Sequence, residues 1–162
     1  MSNFIKKQTV TSWILCGSIV AGLVAFIIFL VNSCSGYYAG SSIDALTLTF
    51  SILYLVGAIA LFICKDLISK LGKAGNWIET AAYLVLALFL SLAVVFLINS
   101  RTELAGDVYF IPGMSTDAKE SAITVSFVAL AFYIISFIAL VVCGFRSNRA
   151  APAEHTSAES AK

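Results

Sequence analysis

The sequence predicts an all-α integral membrane protein built as a bundle of four transmembrane helices. Three observations predict it. Charged residues make up 12% of the chain and apolar ones 60%, against about 25% charged in an ordinary soluble domain. The charges cut the chain into four uncharged blocks, 8–43, 45–64, 80–100 and 121–145, each holding the roughly 20 apolar residues that cross a ~30 Å hydrocarbon layer. None of the blocks alternates apolar with polar residues as barrel strands do, and four strands close no barrel.

The first helix is expected near 12–31, opened by Trp13-Ile14 and preceded by Lys6 and Lys7. The start also has the outline of a secretory signal ending at a lipoprotein-type Cys34. The apolar run of about 18 residues exceeds the 7–15 of a signal core, so it reads as a span. The second helix is expected near 43–64, with Asp44 at its start. Residues 65–73 follow as a short amphipathic stretch with Lys65, Lys70 and Lys73, suited to the anionic inner leaflet.

The third helix is expected near 77–98, opened by Trp77-Ile78, with Glu79 three residues after Asn76 in the pattern of a capping box. A long loop over 101–120 leads to the fourth, near 119–145, where Glu120 repeats the pattern behind Asp117. Residues 1–145 thus form the membrane domain. The tail 146–162 is small and polar, without core-forming residues, and is expected to be disordered.

Lys and Arg set the orientation. Lys6, Lys7, Lys65, Lys70, Lys73, Arg146, Arg149 and Lys162 fall on one side of this plan, and only Arg101 and Lys119 on the other. The bias places both termini and the middle loop in the cytoplasm of a multi-pass plasma-membrane protein.

The halves also resemble each other. Phe29-Leu30-Val31-Asn32-Ser33 ends the first helix and Phe96-Leu97-Ile98-Asn99-Ser100 the third. Tyr54, Ile59-Ala60-Leu61 and Cys64 recur at constant offset as Tyr133, Ile138-Ala139-Leu140 and Cys143. The reading is two duplicated hairpins related by a pseudo-two-fold axis along the membrane normal. Gly17, Gly22, Gly57 and Ala87 would let helices approach closely. Tyr54, Tyr83 and Tyr133 are expected to face inward, where phenols find partners.

Chemistry is sparse. Net charge +1 leaves no basic surface for nucleic acid. His155, the single histidine, falls in the tail, and no C-x-x-C or Gly-rich phosphate loop occurs. No catalytic residue, cofactor or metal site is therefore expected, and the cysteines read as small apolar residues of packed helices. Acids near helix starts read as caps, which leaves no ionisable path for coupled transport. The outer face has more character: Asn32, Tyr37, Tyr38, Asn99, Arg101 and Tyr109 form the candidate binding surface. Both asparagines are expected to turn toward the axis or the outer loop, with Phe110 and Ile111 packed on the bundle end. The expected function is non-catalytic, by contact with lipid, a membrane-protein partner or a second copy. The alternative is a passive conduit, or a binder of a small molecule or lipid headgroup at the outer mouth.

Overall fold

The structure is a computed structural model that describes residues 10–38, 43–111, 113 and 115–149. Expectations for Lys6, Lys7, His155 and the tail beyond 149 lie outside the described residues. Four long helices appear: α1 Val10–Cys34, α2 Ala45–Ser69, α3 Lys73–Phe110 and α4 Asp117–Arg149, with a 3-10 turn at Gly36–Tyr38. Each is long and apolar enough to span a membrane. The chain has the helical architecture of a multi-pass membrane protein.

The helices are longer than the apolar blocks that announce them. α2 runs on to Ser69, so the expected surface loop is mostly helix and the connection shrinks to residues 70–72. Gly72 turns the chain with φ of 60°, a left-handed value that a side chain disfavours. Lys70 and Leu71 N–H groups donate to the carbonyls of Leu67 and Ile68, closing the end of α2. Gly75 then passes so near the Ile68 carbonyl that no Cβ fits there.

The largest correction concerns the outer loop. α3 continues to Phe110, so all of 99–110 is helix, and the α3–α4 connection spans only 111–116. With 38 residues, α3 is about 57 Å long, far more than the hydrocarbon thickness. α4 likewise extends to Arg149, so the first residues of the expected disordered tail are helical.

Asp44 caps α2 as expected, accepting from the Leu46 N–H at 3.3 Å and from the Thr47 hydroxyl. At α4 the cap lies one residue earlier than expected. Thr116 accepts from the Lys119 N–H at 3.4 Å, and Ser115 donates to the Glu120 carboxylate. The capping reading of Glu79 is wrong: α3 begins at Lys73, which leaves Glu79 well inside the helix.

In the bundle α1 packs on α2 and α4, and α3 packs on α2 and α4, so the helices form a ring. The two diagonals are joined by side chains alone. Both hairpin connections, α1–α2 and α3–α4, lie at one end, here the distal end; the α2–α3 turn marks the proximal end. Along the α2–α3 seam Phe50 stacks on Phe96 with centroids 5.6 Å apart. Leu15, Phe29, Tyr54, Leu90, Tyr133 and Leu140 belong to the main core. A second, small core at the distal end joins Leu104, Ala122 and Ile123, with Tyr38 and Val108 packed against them.

Candidate functional site

Polar side chains gather at three levels of the bundle. In the middle, Ser18 of α1, Ser51 and Tyr54 of α2, and Tyr133 and Ser136 of α4 are all wholly buried. The Ser18 hydroxyl donates to the Ser136 carbonyl at 2.9 Å, and the Ser136 hydroxyl donates back to the Ser18 carbonyl at 2.8 Å. The Tyr54 hydroxyl lies 2.7 Å from Ser136 Oγ and donates to the Ser18 carbonyl at 3.0 Å. Tyr133 reaches the other way across the α2–α4 diagonal, its hydroxyl 2.8 Å from Ser51 Oγ. Every hydroxyl has a partner, which removes the penalty of burying it. Gly22 makes this possible, because a Cβ there would collide with the Tyr54 ring.

At the proximal end Lys65 Nζ and Glu79 Oε1 are 3.5 Å apart, with both side chains mostly buried. The Tyr83 hydroxyl donates to the same carboxylate oxygen at 3.1 Å. These two charges close the apolar stretches of α2 and α3. Nearby, a groove of about 260 Å³ runs between α3 and α4, bordered by Tyr83, Leu84, Ala87, Leu140 and Phe145.

The distal end assembles most of the outer-face candidates. Asn32 is buried and donates through Nδ2 to the Ala122 carbonyl at 3.0 Å and to Ser126 Oγ at 2.8 Å. Arg101 crosses the α1–α3 diagonal and donates through Nη2 to Ser33 Oγ at 3.0 Å. Its guanidinium carbon lies 3.6 Å from the centroid of the Tyr38 ring, a cation–π contact. Tyr37 meets Tyr38 edge-on at 5.3 Å. Lys119 Nζ pairs with Asp107 at 3.2 Å and lies 5.8 Å from the Tyr37 centroid. Burial raises the pKa of the Tyr38 phenol above its ordinary value, and the charge of Arg101 opposes that shift.

Arg101 is the unusual member. Among the described residues no carboxylate pairs with it; the ion pairs are Lys65–Glu79 and Lys119–Asp107. Its Nε is buried without a hydrogen-bond partner. Part of its side chain lines a groove of about 160 Å³ between α3 and α4, with Ile98, Ala105, Ile123, Phe127 and Leu130.

Two expected residues stay outside this cluster. Asn99 is exposed on α3, and Tyr109 is 62% exposed. The reason is helical phase: Leu97 and Leu104 take the inward face of α3, and Asn99, two residues past Leu97, points the other way. Phe110 is 84% exposed and does not pack on the bundle end. The cluster adds Ser33, Lys119 and Ser126, which sequence reasoning missed as site members. Ser33 and Ser126 sit in apolar runs where nothing tells which face they occupy.

The fold and site together define a bundle of four helices long and apolar enough to span a membrane, with a bonded hydroxyl core and, among the described residues, no carboxylate paired with Arg101. No family model, curated protein or solved structure matches the chain.

Proposed function

We propose that the protein is a non-catalytic, four-span component of the plasma membrane that acts by contact with lipid or with a membrane partner. The observation that carries this reading is the core. Its hydroxyls are consumed in bonds to one another, and Ser18, Ser51, Tyr54, Tyr133 and Ser136 are wholly buried. A conduit needs polar groups open to an axial path; these face only each other. The outward faces of the helices are lined with large apolar side chains such as Val20, Ile27, Val56, Ile63, Leu84 and Ile135, all exposed. They are the surface a bilayer or a neighbouring helix would cover.

The distal end faces outward in this proposal, and both termini lie in the cytoplasm, as the lysine bias requires. The two hairpins descend from a duplicated ancestor. Supporting this, Tyr54 and Tyr133 are both buried, and each bonds a serine on the diagonal helix. Leu61 and Leu140 are likewise both buried, but two matched pairs differ in surroundings: Asn32 and Cys143 are buried, whereas Asn99 and Cys64 are exposed.

The test is flux. The purified chain in sealed liposomes is expected to leave the leak of protons, potassium ions and a small neutral solute at the level of empty liposomes. Flux that rises with protein content would overturn the contact reading in favour of the conduit. A second reading, lipid-headgroup binding at the outer mouth, is favoured by the missing counter-charge at Arg101.

A further inference from the structure

We infer that the distal tip of α3, Tyr109, Phe110 and Ile111, is a docking knob for a protein partner: it enters an apolar socket, rimmed by arginine or lysine, on the partner's outer-side domain. The inference rests on the reading that this membrane chain works by contact with a partner, and it names the surface and the chemistry of that contact.

Height is the first argument. Residues 80–100 carry no charge, and such a helical run covers about 31 Å, close to the thickness of the hydrocarbon layer. α3 then continues through Arg101, Glu103 and Asp107 to Phe110, which lifts Phe110 about 13 Å above Arg101. The headgroup layer on each side is only about 5–8 Å thick, and a tilt of about 20° shortens the rise by less than 1 Å. The tip therefore stands in water, above the level of an interfacial aromatic belt, and lipid does not cover it.

Exposure is the second. Phe110 is 84% exposed, Tyr109 62% and Ile111 46%. The two rings alone leave roughly 300 Å² in water, on the scale of patches that mark interaction sites. Glu103, Gly106 and Phe110 follow at i, i+3 and i+7 along one face of the helix, and a Cβ at Gly106 would meet nothing. Leu104 and Val108 turn the other way into the small distal core, and Lys119 of α4 pairs with Asp107 at 3.2 Å. The knob is thus held in place before any partner arrives, which lowers the entropy cost of docking.

Charge selects the partner. Among the described residues of this end, the exposed charges are Glu103, Asp117 and Glu120, all acidic. Arg101 is turned in to Ser33 and Tyr38, and Lys119 to Asp107. A second copy would bring the same acids to a symmetric contact and be repelled. A basic rim is attracted instead, and arginines stack well on the exposed faces of Tyr109 and Phe110.

The photoreactive residue p-benzoylphenylalanine is placed at position 95, 109 or 110 of the full chain and irradiated in membranes of cells that carry the protein naturally. Adducts are sized and identified by mass spectrometry. Positions 109 and 110 are expected to capture one and the same protein, with a net basic outer-side domain. Position 95, exposed within the apolar block, is expected to miss it. With the probe at 109, Phe110→Asp is expected to cut the yield at least tenfold, in keeping with loss of an aromatic anchor. Phe110→Ser serves if the aspartate lowers the thermal midpoint. Glu103→Lys, or salt raised to about 0.5 M, is expected to cut the yield several-fold.

An adduct of two copies of this chain would overturn the assignment, as would adducts with lipid alone or none at either position. So would an adduct indifferent to Phe110→Asp and Phe110→Ser, or to both salt and Glu103→Lys. Alkaline carbonate extraction separates the two failures. A chain that stays in the membrane pellet yet gives one of these results sinks only this inference, whereas a chain that is extracted sinks the membrane reading itself.

Discussion

A helix of apolar residues has little to say about which neighbour it meets, so single small side chains decide. Gly22 and Gly17 sit on the same helix, yet a Cβ at Gly22 would overlap the Tyr54 ring while one at Gly17 meets nothing. Gly22→Ala is therefore expected to destabilise the bundle by about 1–3 kcal/mol through overpacking. Gly17→Ala should be neutral or stabilising by up to about 1 kcal/mol, the helix preference of alanine over glycine. Thermal unfolding of both variants in detergent checks the contrast, and equal midpoints would show that Tyr54 does not occupy that place. Tyr54→Phe removes the hydroxyl that touches Ser18 and Ser136 and is expected to cost about 0.6–1.5 kcal/mol. In a double-mutant cycle with Ser136→Ala, the combined loss should be smaller than the two single losses together, because both delete the same contact. The inward tyrosines were legible in the sequence, since a phenol in an apolar block needs a partner. Their serine partners were not: a lone serine in a run of Leu, Ile and Val fits any face of a helix.

At the level of elements, charge marks where a span ends but not where a helix ends. The four apolar blocks located every helix, since a run this apolar has to bond each backbone N–H and C=O internally wherever water is excluded. Beyond the apolar run that force is gone, and the polar stretch after Asn99 reads as loop. It remains helical because Leu104 and Val108, one turn apart, reach the small distal core with Ala122 and Ile123. Glu79 is the matching case: Trp77-Ile78 marks where the apolar run opens, whereas α3 begins at Lys73. The extension makes a direct prediction. Single cysteines placed along 103–109 and reacted with a water-soluble maleimide should label with helical periodicity. Positions 104 and 108 are expected to react slowly, and 103 and 109 at least tenfold faster, since Leu104 packs inward while Glu103 and Tyr109 are exposed. Uniform fast labelling would return this segment to a loop. It would also leave Arg101 without the helical support that carries it to Tyr38.

For the molecule as a whole, the two ends of the bundle differ in kind, and that difference carries the orientation. The proximal end is closed by the tight turn at Gly72 and by the Lys65–Glu79 pair, and Lys70, Lys73, Arg146 and Arg149 fall toward that end in the sequence. Acids dominate the distal end. Positive charge near the ends of spans resists translocation, so the proximal end should stay in the cytoplasm while the distal cap crosses. The fold agrees with an even number of spans, since both hairpins point the same way and the ring closes α1 on α4. Reporters fused after residues 72 and 150 are expected to read as cytoplasmic, and one after 113 as external. Moving positive charge tests the cause: Lys65→Gln, Lys70→Gln and Lys73→Gln together, with two lysines added in 111–116, should produce a measurable fraction of inverted molecules. A cytoplasmic reading at 113 in the native chain would overturn the orientation. It would also put the Lys65–Glu79 end of the bundle outside, against the direction in which lysines near the ends of spans resist translocation.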